Sequence, residues 1–309
     1  DNSSILSNSI TAFCEDGQGR IWMGSVNGQM NYINLSDPDI VRIPDGNKSE
    51  TARSIDAILG LAYDSVNNYI WIAALSGLFI YDLDNSTFIR SSIRESSCLS
   101  LCIVSEKMWV SSLEGASIVD LKTMESREIS DYPVCISLVS DGETIWCGTF
   151  GNGLYKVENW MSENPQITVY SEDEGLADNQ INGLLADGIH LWITTENGLS
   201  RLDTQTGKID SYTTHDGLKS MAFCENSIVK GKNGSIYMGL KGGGLSILRS
   251  SYVADETLNM SDIAISGYYS KGQFNNLSHC DTIDKTEKDT DFTLKFSASM
   301  PLHRLQWLR

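Results

Sequence analysis

Six short apolar runs in this chain each end in an aromatic residue, followed six or seven residues later by a glycine and a further apolar run. The aromatics are Trp22, Trp71, Trp109, Trp146, Trp192 and Tyr237, and the glycines are Gly28, Gly77, Gly115, Gly153, Gly198 and Gly244. Successive aromatics stand 37 to 49 residues apart, the interval at which internal repetition signals stacked four-stranded units. Whatever the chain does, it must first satisfy that repetition.

Each unit reads in four parts. An apolar run such as ITAFCED, ILGLAYD or INGLLAD comes first. A turn rich in Asp, Asn and Gly follows, residue types that tolerate positive φ. Next come the aromatic strand (RIWMGS, YIWIAA, KMWVSS, TIWCGT, HLWITT, SIYMGL), the glycine, and a third strand such as GLFIYDLD or GLSRLD. A more polar stretch, as in FIRSSI or ITVYSED, supplies an outer strand. Short runs between regular turn signals predict an all-β fold, and near-continuous apolar runs suit sheets covered on both faces. The blades of a β-propeller are covered in this way by their neighbours. Burying a tryptophan removes about 150–250 Å² from water, roughly 4–6 kcal/mol gross at 25 cal/mol per Å². The repeat tryptophans are therefore expected as wedges between blades and the glycines as turn residues. A position filled in every repeat does not by itself define a site, so binding residues are sought off the pattern.

Composition narrows the partners. With 23 Lys and Arg against 40 Asp and Glu, the net charge is -17, which repels nucleic acid and anionic membrane surfaces. No apolar run is long enough to span a bilayer. The first residues, DNSSILSNSI, carry neither an initiator methionine nor a signal pattern, so any targeting segment is expected upstream or removed. The seven cysteines lie mostly in apolar runs and are expected to pack as small hydrophobes. The four histidines, His190, His215, His279 and His303, are scattered. Neither a zincin, a nucleophile-elbow, a phosphate-loop nor an EF-hand pattern occurs. Catalytic, cofactor-binding and metal-binding residues are thus expected to be none. Ligand contacts are instead expected on two segments that lengthen the repeat, 36–56 and 158–180. Trp160 lies outside the repeat slot, and Arg42, Lys48 and Arg53 form a local positive cluster; these four are the ligand-binding candidates.

The units resemble the two-component-regulator propeller repeat. DNQINGLLADGIHLWITTENGLSRLDTQTGKIDSYTTHDGL (178–218), ITAFCEDGQGRIWMGSVNG (10–28) and IWCGTFGNGLYKV (145–157) carry the resemblance; KMWVSSLEGASIVDL (107–121) is the poorest match. Such repeats form the periplasmic sensor region of Bacteroidetes hybrid two-component systems, in seven-bladed rings followed by a Y_Y_Y β-sandwich, a membrane helix and a histidine kinase. The resemblance implies an all-β chain: a β-propeller at 1–250, with six repeats of a seven-bladed ring, then the beginning of a sandwich at 251–309. SDIAISGYYSKGQ (261–273) and DFTLKFSAS (291–299) look like its opening strands. It also implies a periplasmic region that is not itself an enzyme. This region would bind an oligosaccharide from glycan breakdown, form a homodimer and signal through the membrane helix to the kinase. The alternatives are a protein-interaction scaffold and a propeller lyase or glycosidase.

Overall fold

A computed structural model describes residues 5, 7–34, 37–42, 50–91, 97–129, 132–249, 263–270, 273–276 and 292–298, the side chains of 37–42, 249 and all beyond excepted. The chain divides into two units, Asp1–Ile247 and Leu248–Arg309.

The first unit is a β-propeller. Blade 1 consists of β1 (Ile10–Glu15), β2 (Arg20–Ser25), β3 (Met30–Asn34) and β4 (Asp37–Arg42). A short helix, α1 (Glu50–Ser54), leads to blade 2, with β5 (Ile58–Asp64), β6 (Tyr69–Ala74), β7 (Gly77–Asp82) and β8 (Thr87–Arg90). Blade 3 is β9 (Cys98–Val104), β10 (Lys107–Ser112), β11 (Gly115–Asp120) and β12 (Ser126–Ile129). Blade 4 is β13 (Cys135–Ser140), β14 (Ile145–Thr149), β15 (Leu154–Glu158) and β16 (Gln166–Tyr170). Blade 5 is β17 (Ile181–Asp187), β18 (His190–Thr195), β19 (Gly198–Asp203) and β20 (Ile209–Tyr212). Blade 6 shows three strands, β21 (Phe223–Lys230), β22 (Ser235–Leu240) and β23 (Leu245–Arg249). Every blade is an antiparallel meander in chain order.

The cores lie between blades. Trp22 of blade 1 packs with Ile70, Ile72 and Phe79 of blade 2, and Trp71 with Met108 and Val110 of blade 3. Trp109 meets Ile145 and Cys147 of blade 4, while Trp146 meets Ile181, Leu191 and Ile193 of blade 5. The tryptophans are the inter-blade wedges that their repetition predicts. A second requirement emerges two residues later, at Gly24 and Gly148. A Cβ there would stand 2.5 Å from Cγ2 of Ile58 or Ile181 on the next blade, so glycine lets the neighbouring first strand approach.

Coverage on both faces holds for the middle strands, as in β7, where all six residues are buried. The first strands are only half-buried, as in β1, because they pack side by side around the axis, β1 with β5, β5 with β9, β9 with β13, β13 with β17 and β17 with β21. Among the described residues β21 and β1 do not pack in this way. Phe13, opposite Met23, is 59% exposed, whereas Leu61 at the corresponding place of blade 2 is 9% exposed. On the far side of that seam Val229, opposite Tyr237, is also exposed. Tyr237 itself is half-buried, unlike the five wedges before it, because among the described residues no further blade covers its face.

The second unit contains β24 (Ile263–Ser270), β25 (Gln273–Asn276) and β26 (Phe292–Ala298). They form one antiparallel sheet in the order β25-β24-β26. The sandwich implied by the resemblance needs a second sheet, which the described residues do not contain.

Candidate functional site

An antiparallel meander sends its second-to-third turns and its blade-to-blade connections to the same end. At that end one position recurs, the residue directly after the second strand: Val26, Leu75, Leu113, Phe150, Glu196 and Lys241. Its backbone N–H extends the ladder in five blades, donating to Ser9, Ala57, Ser97, Gln180 and Ala222 in turn. In blade 4, Phe150 instead bridges to Gln180 of the following connection. The first four of these side chains are apolar and exposed, Phe150 the most at 65%. The last two form an ion pair between blades 5 and 6.

The aromatic and the ion pair are joined through Gln180. Its carbonyl accepts from the Glu196 N–H at 3.2 Å, and its backbone pairs with Phe150. Asn182, fully buried on β17, donates through Nδ2 to Glu196 Oε2 at 3.1 Å and to the Phe223 carbonyl at 2.9 Å, while its Oδ1 has no partner. The Lys241 ammonium, then the Asn182 amide, hold the Glu196 carboxyl below the usual range. Blade 6 adds a bulge here. Six residues of β21, Phe223 to Ile228, span the stretch covered by three of β22, Met238 to Leu240, and Asn226 at positive φ reaches the Ile136 carbonyl of blade 4 at 3.0 Å. Phe150, Asn182, Glu196, Lys241 and Asn226 thus place an aromatic face, amides and a charge pair at one end of blades 4 to 6. Such a mixture suits a ligand with apolar faces and many hydroxyls. Among the described residues, no group of His, Cys, Asp and Glu could hold a metal ion.

Of the four candidates on the two lengthened segments, the side chains of Trp160 and Arg53 are among the described residues. Trp160 is 2% exposed and packs edge-on against Trp109, with ring centroids 6.3 Å apart; it is a core residue with no free aromatic face. It sits in a third-to-fourth turn, at the end opposite the collar formed by the residues that follow the second strands. Arg53 is exposed in α1, in the connection between blades 1 and 2. Arg42 ends β4, with its side chain outside the described residues, and Lys48 lies outside them entirely. The segment 158–180 turns out to carry the outer strand β16 and a 3-10 turn, Glu172–Glu174. The position after the second strand recurs in every blade, and repetition by itself marks scaffold. The signal was nonetheless present, since that position changes from apolar to charged between Phe150 and Glu196.

The two component regulator propeller family matches residues 4–27, the first repeat, so the chain carries that repeat as its motifs predicted. Among solved structures, the extracellular domain of BT3049 from B. thetaiotaomicron, classed as a hybrid two component system, aligns at 20% identity and a TM-score of 0.66, covering 96% of this chain and 47% of that one. The extracellular domain of BT4673 from the same organism, classed as a one component system, aligns at 18% identity and 0.63, covering 89% of this chain and 43% of that one. Kuenenia stuttgartiensis hydrazine synthase aligns at 12% identity and 0.60, covering 81% and 79%. These likenesses show the propeller fold, and the chain spans less than half the length of the two B. thetaiotaomicron domains. No curated protein matches the sequence.

Proposed function

We propose that this chain belongs to the extracytoplasmic ligand-sensing region of a hybrid two-component system and binds an oligosaccharide released from a complex glycan. The observation that carries this reading is the two-component-regulator propeller repeat at 4–27, set in a fold like that of two B. thetaiotaomicron extracellular domains. No helix among the described residues is long and apolar enough to cross a membrane. On this reading the region is not an enzyme. The sugar lies against Phe150, its hydroxyls are held by Glu196, Lys241 and Asn226, with buried Asn182 orienting the Glu196 carboxylate from behind, and binding alters the arrangement between propeller and sandwich, or between protomers, that reaches the kinase. Fold alone does not decide between sensor and enzyme, since the same architecture serves unrelated functions.

Titration calorimetry of the complete extracytoplasmic region against neutral and acidic oligosaccharides tests the reading. Heat of binding for one glycan class, reduced about tenfold or more by Phe150→Ala, is expected. Silence across the panel counts against direct sensing, and product formation from a glycan replaces it with the enzyme reading. A protein-interaction scaffold is the second reading, favoured by the aliphatic members of the collar, Val26, Leu75 and Leu113.

A further inference from the structure

Outer strands leave one edge of every blade unpaired, and an unpaired edge is a template for another strand unless something blunts it. The outer strands of the other described four-stranded blades each carry a guard in their own sequence. β4 has Asp37, Pro38, Asp39 and Arg42, β8 has Arg90, β12 has Arg127 and Glu128, and β20 has Asp210. β16 reads Gln-Ile-Thr-Val-Tyr, with no charge and no proline; Pro165 stands just before it and leaves its ladder positions open. Its first four residues are all exposed, with Ile167 at 44% and Val169 at 43%.

We propose that β16 is a self-association edge, where a second copy of this chain pairs antiparallel through its own β16 about a two-fold axis at Thr168. Two arguments select a second copy. The strand is complementary to itself: antiparallel pairing centred on Thr168 sets Thr168 opposite Thr168, Ile167 opposite Val169 and Gln166 opposite Tyr170. Both β-branched pairs then fall on one face of a continuous eight-stranded sheet, the kind of cross-strand pair that favours strand association. The second argument is charge. Two copies of net charge -17 repel one another, and within the five paired positions no carboxylate meets another, β16 being the uncharged outer strand among those described; Glu163 and Asp173 flank the pair and oppose it, more so at low salt. The ladder already running from β13 through β14 and β15 to β16 continues into the second copy without a change of register. A five-residue pair lies at the low end of interface sizes, under about 1,200 Å², so the association is reversible and depends on concentration.

Sedimentation velocity of the full 309-residue chain over a wide concentration range is expected to show mass rising from 34.1 kDa toward twice that value. Val169→Lys, on an exposed site, places like charges across the axis and is expected to weaken the dimer about tenfold or more; circular dichroism checks that the variant is folded. Thr168→Cys gives a readout independent of that variant. With oxidised glutathione, two Thr168→Cys thiols form one disulfide between copies while one glutathione disulfide is reduced to two thiols. Gln166→Cys, which faces Tyr170, stays uncrosslinked, as does the unsubstituted chain. A chain monomeric at every concentration overturns the proposal. So does a dimer indifferent to Val169→Lys but lost on Phe13→Ser, which puts the contact at the seam between blades 6 and 1, and so does crosslinking through position 166 rather than 168.

Discussion

A single carboxylate carries much of the local order in blade 1. Asp16 Oδ1 accepts from the Gln18 and Arg20 N–H groups at 2.8 and 3.0 Å, closing the turn, and Oδ2 accepts from the Trp22 indole at 2.7 Å. Asp64 and Asp141 hold Trp71 and Trp146 in the same way, at 3.2 and 3.0 Å. Burial pushes the Asp16 carboxyl up, but the bonds from Trp22, Arg20 and Gln18 outweigh it and hold it below 3.8. The stabilisation is therefore present above that unfolded value and is lost as pH falls through the lower folded one. Asp16→Asn is expected to cost about 1–3 kcal/mol at neutral pH, with variant and parent converging on acidification below 3.8, as chemical denaturation at several pH values would show. Blade 3 supplies the contrast. Its turn is shorter, Ser105 stands where the aspartate would be, and the buried Trp109 Nε1 has no partner. Trp109→Phe is expected to be less destabilising than Trp22→Phe by about 1–2 kcal/mol, in paired denaturant melts. The tryptophans were legible as wedges from their period. The aspartates were legible only as turn formers, because the indole they hold lies on the next strand, at a separation that varies from blade to blade.

Between strands two and three, side chain and glycine act together. The Thr149 hydroxyl donates to the Gly153 carbonyl at 2.7 Å and Thr195 to that of Gly198 at 2.7 Å, which explains the Gly-Thr and Asn-Gly elements of the repeat. Gly153 has φ 79, and a Cβ there would lie in hard contact with the Tyr170 carbonyl. Gly142 shares a positive φ of 104 but has nothing within 4 Å. Gly153→Ala is therefore expected to lower the melting temperature clearly more than Gly142→Ala, since backbone strain is common to both and the clash is not. The polar stretches ending in Glu-Gly-Leu and Asp-Gly-Leu resolve similarly. Ser171 with Glu174, and Thr213 with Asp216, form capping boxes closed by left-handed Gly175 and Gly217, after which Leu176 and Leu218 are buried. Strand order and turn positions were readable from spacing alone. The outer strands were not legible in the same way, because β16, like the others, carries few apolar residues and leaves no periodic mark.

At the scale of the ring, the aromatic–glycine count foretold six blades, and the fold agrees. The state of the sixth seam was not legible, since it depends on which faces meet rather than on any residue type. Exposed Phe13 and buried Leu61 make it measurable. Phe13→Ser is expected to stay within about 0.5 kcal/mol of the parent, while Leu61→Ser costs about 2–5 kcal/mol; a blade seated in the seam would raise the first cost toward the second. Among the described residues five seams pack first strand against first strand and the sixth, between β21 and β1, does not, so on those residues the propeller is a split washer. Asn226, reaching from blade 6 to the Ile136 carbonyl of blade 4, ties the blade beside that split across the axis, as a cotter pin ties the free end of a washer to its far side.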